Sequence, residues 1–113
     1  MGDIARVFTP RGERLKGQIE GERFGSDLSV IVVDYRDAGE GPSLHTHPYN
    51  ETFVVLEGTA RFELDGKAIT APAGSVLVAP AGVPHRFENA GPGRLLQVDI
   101  HSAAAFQTTW LDR

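Results

Sequence analysis

The sequence predicts an all-β domain whose short strands close into a barrel or a sandwich. Three observations carry this. Thirteen glycines and seven prolines in 113 residues break the chain at short intervals. Between the breaks lie about eight to ten short runs with the two-residue alternation or the Val/Ile content of strands. No stretch keeps the 3.6-residue period of a long helix. A chain of this length forms one domain and buries roughly two-thirds of its unfolded surface.

Taken in order, residues 1–16 are polar and irregular, with Pro10-Arg11-Gly12 as a turn and Ile4, Val7 and Phe8 as a candidate short strand. Residues 1–24 read as an N-terminal arm, 27–101 as the barrel and 102–113 as a tail. A short strand is expected near residues 18–20. Residues 27–36, DLSVIVVDYR, form a strong strand whose Val-Ile-Val-Val centre reads as buried on both faces. Residues 61–64 and 67–70 alternate around Asp65-Gly66, a two-residue hairpin turn that needs positive φ at both positions. Short strands follow at 75–79 and 85–89, and a last clear strand at 94–101. Beyond it, Ser102 is a candidate cap for one helical turn over 103–106, whereas Thr108-Thr109-Trp110 reads equally as a strand.

Composition excludes several classes. There is no cysteine, hence no disulfide framework or thiolate chemistry. The net charge is −4, and the nine arginines and two lysines are scattered, which argues against nucleic acid as a partner. No run approaches the ~18 apolar residues of a membrane span. The first residues lack the apolar core of a signal peptide, so the cytoplasm is the expected compartment.

The chemistry concentrates in residues 39–58, GEGPSLHTHPYNETFVVLEG. His45 and His47 are two apart and share a strand face. Pro48 keeps His47 extended, Tyr49 and Asn50 turn the chain, and Glu51 opens the next apolar run. Two imidazoles and a carboxylate brought together in this way suit a metal ion. The competing reading is two surface histidines that happen to lie near a glutamate. Tyr49 is open to two readings, the mouth of a pocket or a surface turn. Phe53, Val55, Phe62 and Phe87 are expected in the core or pocket wall.

These residues carry a resemblance to the cupin superfamily. Gly39, His45, His47, Glu51 and Gly58 fill the pattern G-x5-H-x-H-x3-E-x6-G, and Gly74, Pro80, Gly82, His85 and Asn89 fill G-x5-P-x-G-x2-H-x3-N. The resemblance implies a small cupin β-barrel, a jelly roll or double-stranded β-helix. It also implies that His85 crosses the barrel to join His45, His47 and Glu51 as ligands of one divalent transition metal: iron, manganese, nickel, zinc or copper. Three neutral imidazoles and one carboxylate would leave about two of six octahedral positions open.

Family membership does not fix function. The resemblance favours a dioxygenase-like oxidoreductase acting on a small organic substrate. Its alternatives are a non-redox isomerase or polyketide cyclase, and a non-enzymatic barrel that binds a small ligand or metal. The four glycines of the two patterns are expected at strand ends with positive φ, and Asn89 is expected to bond backbone. Along residues 95–101, Leu96, Val98 and Ile100 share one face and Gln97, Asp99 and His101 the other. If that polar face looks into the barrel, His101 stands at the rim as a candidate catalytic general base. A homodimer is expected, because one barrel has few places to bury the arm, the apolar strand at residues 30–33 and the tail with Phe106, Trp110 and Leu111.

Overall fold

The computed structural model describes residues 17–111. The candidate strand at Ile4, Val7 and Phe8 lies outside the described residues. Ten strands and one short 3-10 helix follow one another: β1 (Gly17–Ile19), the helix (Gly21–Arg23), β2 (Ser29–Tyr35), β3 (His45–Thr46), β4 (Glu51–Glu57), β5 (Thr59–Leu64), β6 (Lys67–Pro72), β7 (Val76–Ala79), β8 (His85–Asn89), β9 (Leu95–His101) and β10 (Thr109–Trp110). They form two five-stranded antiparallel sheets, ordered β1-β2-β9-β4-β7 and β10-β3-β8-β5-β6. The expected all-β jelly roll is therefore the observed architecture. No described helix is long and apolar enough to cross a membrane.

Local chemistry explains the turns that set the strand register. Asp65 and Gly66 have φ of 52° and 79°, the left-handed pair that a two-residue hairpin requires, and they join Leu64 to Lys67 across the β5–β6 ladder. Gly58 links β4 to β5 at φ 82°, where a β-carbon would also collide with the Arg94 carbonyl oxygen. Asn89 bonds backbone, as its motif position suggested: its amide nitrogen donates to the carbonyls of Tyr35 and Gly93, and its oxygen accepts from Gly91 N–H.

The core lies between the sheets. Val33, Phe53, Val55, Phe62, Phe87 and Leu95 are each at most 5% exposed. The rings of Phe53, Phe62 and Phe87 meet pairwise at centroid distances of 4.9, 5.6 and 5.9 Å. Such pairs add about 1 kcal/mol each beyond burial.

Two sequence expectations change. The apolar run of β2 is not buried on both sides: Val30 and Val32 on the outer side stay half-exposed, and only Asp34 on that side is buried, beneath Arg94 and Arg36. Residues 103–106 form bends and no helix; Ala104 and Ala103 instead spend their carbonyls on Glu22 N–H and the Ser29 hydroxyl, and the chain continues into β10.

Candidate metal centre

The site forms at one end of the barrel, where the two sheets face each other. His45 on β3 lies directly opposite His85 on β8 in one sheet. Glu51, the first residue of β4, lies opposite His101, the last of β9, in the other. His47 follows β3 before Pro48, and its carbonyl accepts from Gly82 N–H, which ties the two histidine-bearing segments together. One ligand atom each from His45, His47, Glu51 and His85 lies within 4.8 Å of the other three, and all four residues are buried. The four ligands expected on the cupin resemblance are thus brought together.

The hydrogen bonds on the far side of each ring test whether a cation fits. The Nδ1 atoms of His45, His47 and His85 face the backbone carbonyls of Ser43, Gln107 and Val83 at 2.7, 2.8 and 2.9 Å. A carbonyl only accepts, so Nδ1 carries the hydrogen in all three, and a neutral ring then offers the bare lone pair of Nε2. Yet His47 Nε2 and His85 Nε2 both face Glu51 Oε1, at 2.9 and 3.1 Å. Acceptor against acceptor is satisfied only by additional protons or by a shared cation. A buried ring whose outer nitrogen is fixed by a carbonyl is also the usual support of a metal-bound histidine. The donor set therefore fits a divalent ion.

The electrostatics agree. Burial alone would push Glu51 up, but its contacts with His101, His47 and His85 outweigh that and hold its carboxyl well below the usual carboxylate range. Burial opposes charging of His47, yet the Glu51 carboxylate and the Gln107 carbonyl outweigh it and raise its pKa. Burial lowers His45, against the Ser43 carbonyl, and the neighbouring imidazoles of His85 and His47 lower it further. Asp99, fully enclosed, is raised well above an ordinary carboxyl, first by burial and then by the charge of Glu51.

The polar side of β9 does look inward: Gln97, Asp99 and His101 are 0, 2 and 3% exposed, while Leu96, Val98 and Ile100 face out. Gln97 donates to Asp99 at 2.8 Å. His101 Nε2 lies 3.1 Å from Glu51 Oε2, and its Nδ1 lies 2.7 Å from the Tyr49 hydroxyl. Tyr49 does not itself line the cavity; it stacks on His47 at 5.1 Å and contacts His101, behind two residues that do.

A cavity of about 350 Å³ adjoins this cluster, lined by apolar Ile31, Val33, Tyr35 and Phe87 and by polar His45, His47, Glu51, Asp99 and His101. Phe106, Thr108 and Trp110 also line it. Sequence reasoning saw Phe106 and Trp110 only as unplaced apolar residues. Residues 102–110 have no periodicity that would have aimed them here.

The model of the cupin domain family matches residues 32–101. Polyketide synthase CurC of Streptomyces cyaneus is 44% identical over 82 residues, covering 72% of this chain and 53% of that protein. Protein SchB of Streptomyces halstedii is 33% identical over 92 residues, covering 80% of this chain and 58% of that protein. The chain thus spans little more than half the length of these curated relatives. Among solved structures, an uncharacterized protein with a double-stranded β-helix domain from Klebsiella pneumoniae superposes with a TM-score of 0.73 at 22% identity, covering 95% of this chain and 91% of that one.

Two outcomes are expected. His47→Ala or His85→Ala abolishes stoichiometric metal binding while the far-ultraviolet spectrum keeps its β-sheet form; unchanged metal content in either variant refutes the ligand assignment. The second concerns Asp99, whose folded pKa lies above the unfolded value of about 3.9. Between those two values the folded chain keeps a proton that the unfolded chain releases, so this carboxyl lowers stability as pH rises. Asp99→Asn removes the penalty. Thermal unfolding of the metal-free protein should find the variant more stable than wild type near neutral pH, with the gap closing below about pH 4. A variant less stable at neutral pH would contradict the assignment.

Proposed function

The chain belongs to the cupin family, and from that premise we propose that it is a divalent-metal enzyme acting on a small, carbonyl-bearing substrate of the polyketide class. One observation carries the reading: three imidazoles and one carboxylate converge beside a cavity that apolar and polar side chains line together. The likeness to a protein named as a polyketide synthase supports the choice of substrate class.

His45, His47, Glu51 and His85 would hold the ion, which, when bound, supplies a Lewis acid for a substrate oxygen. The chain's own residues do the remainder. Ile31, Val33, Tyr35 and Phe87 offer apolar surface against which a ring or folded carbon chain packs, and the cavity is at the small end of the range for ligand sites. Phe106 and Trp110 line the cavity too and limit water. His101, with Nε2 beside Glu51, is the acid–base residue, within reach of a substrate oxygen seated next to the ligands.

The dioxygenase-like reading is a second one, favoured by the donor set itself, which suits iron, manganese, nickel or copper as well as zinc. The two readings separate in one experiment. Protein loaded with zinc and, separately, with ferrous iron is incubated with a linear poly-β-ketone, with and without dioxygen. Cyclised or isomerised product from the zinc form without dioxygen is expected. Turnover only with iron, and only with dioxygen consumed, would overturn this proposal for the second reading. Saturable binding without turnover in any form would mark a binding barrel.

We further infer that the chain pairs with a second copy through the outer face of the β1-β2-β9-β4-β7 sheet. Along that face Val32, Val98, Val54 and Val76 lie side by side in register, as do Val30, Ile100, Thr52 and Val78. Val76 and Val78 are 63% and 43% exposed. The other sheet instead turns out the cross-strand ion pairs Arg61–Glu88 and Arg86–Glu63. An apolar face of this breadth on one side only fits a self-complementary interface. Light scattering at micromolar concentration should return twice the 12.2 kDa of one chain, and Val78→Glu should return the single-chain mass. A wild-type protein already at single-chain mass rejects the pairing.

A further inference from the structure

Four buried histidines surround Glu51, and one differs from the rest. His45, His47 and His85 each face a backbone carbonyl at Nδ1. His101 faces a hydroxyl there, that of Tyr49, at 2.7 Å. A hydroxyl can give or take a hydrogen, so the direction follows from the other partners. Gln107 N–H already donates to the Tyr49 oxygen at 3.1 Å. On its other side His101 presents Nε2 to Glu51 Oε2 at 3.1 Å. If Nδ1 held the only ring hydrogen, a bare Nε2 would stand against a carboxylate lone pair in a buried site. The arrangement that sets no bare acceptor against another around this ring runs one way: Gln107 N–H to Tyr49 Oη, Tyr49 O–H to His101 Nδ1, and the hydrogen on Nε2. Nε2 then carries a hydrogen whether the ring is neutral or charged.

Nε2 makes no well-aligned hydrogen bond within the described residues although it is buried, and the ring lines the cavity. Phe106 closes edge to face on the ring at 4.9 Å and limits its rotation. Its 3.1 Å contact with Glu51 Oε2 is short but poorly aligned, so this N–H stays open to a better-placed acceptor in the cavity.

We propose that His101 is a hydrogen-bond donor toward a substrate oxygen and not a fifth metal ligand, and that Tyr49 is the positioning residue that fixes this tautomer. The ligand chemistry it selects is a carbonyl or enolate oxygen seated beside Glu51. The general base expected at this position from the sequence becomes, at Nε2, a donor and acid. The substrate role rests on the function proposed above; the tautomer does not, and can be read with no substrate present.

The test uses nitrogen-15-labelled, zinc-loaded full-length protein at mildly alkaline pH, where long-range proton–nitrogen spectra assign the tautomer of each ring. Three rings should show Nδ1–H with a zinc-shifted Nε2, and His101 should show Nε2–H without that shift. Tyr49→Phe should turn the His101 signal into a tautomer mixture while zinc stays at one per chain. His101→Gln and His101→Asn should likewise keep their zinc, in contrast to His47→Ala. Once a substrate is in hand, His101→Asn should lower kcat about 100-fold with little change in KM. A zinc-shifted His101 ring, or loss of stoichiometric zinc in both His101 variants, makes it a ligand and overturns the proposal. A wild-type His101 in the Nδ1–H form overturns it as well. If the spectra hold and the poly-β-ketone is not turned over, the donor assignment stands and the substrate class falls.

Discussion

A carboxylate with almost no solvent, Glu51, is the constraint around which this end of the barrel is built. An ionised carboxylate taken out of water costs several kcal/mol unless charge and hydrogen bonds replace the solvent. Here His47, His85 and His101 approach its oxygens within 3.1 Å, and His45 completes the ligand group. The four rings come from three stretches of the chain, so the site exists only if both sheets form in the right register. His45 must oppose His85, and Glu51 must oppose His101. Because side chains alternate along a strand, a slip of one residue in either ladder would turn a ligand out of the barrel. The tight turns are part of the site for this reason: Asp65-Gly66 and Gly58 set the ladders that deliver the histidines.

The parts of this arrangement that were legible in the sequence are those governed by local geometry. His45 and His47 sit at i and i+2, and Asp-Gly between alternating runs announces a hairpin. Position 85 as a partner of 45 was legible only through the family resemblance, since forty residues separate them and no local rule links the two. The alternation along β9 correctly grouped Gln97, Asp99 and His101, but alternation says nothing about which face turns inward. The ordinary preference would bury Leu96, Val98 and Ile100. The structure does the reverse: Glu51, opposite His101, needs polar neighbours on the inner face, and the apolar residues fall on the outer one. Residues 102–110 were opaque for another reason. Their contacts are long-range and made by backbone, such as the Gln107 carbonyl on His47 and its N–H on Tyr49, and a carbonyl leaves no mark in the side-chain pattern.

The two outer faces carry the same lesson about strands read one at a time. The Val-Ile-Val-Val run of β2 read as buried on both sides. Within the single chain it is buried on one, and the ladder places its outer valines in rows with those of β9, β4 and β7. Only the sheet order shows that these separate runs make one continuous surface. At one end the surface is closed by Asp34, fully buried under a two-pronged contact from Arg94 and a third from Arg36. An acid buried on an outer face by arginine forks gives that face a polar rim around an apolar centre, the usual anatomy of a specific interface.

The same side chain is proposed for two roles at this centre, and what separates them is the partner on the far side of the ring. A carbonyl at Nδ1 takes the hydrogen and leaves Nε2 to bind a cation; a hydroxyl that is itself held by a donor gives its hydrogen to Nδ1 and leaves Nε2–H to meet a substrate. Sequence cannot separate these cases, because Ser43, Val83 and Gln107 act through backbone, while Tyr49, and at 3.3 Å the Thr108 hydroxyl beside His47, act through side chains. The consequence is an asymmetric demand on sequence. The carbonyl partners of His45, His47 and His85 tolerate any residue that keeps the backbone path, whereas the partner of His101 must present a hydroxyl at that height above the strand. Tyr49, stacked on His47 and bonded to His101, thus joins Glu51 in holding His101 and the neighbouring histidines in a common geometry.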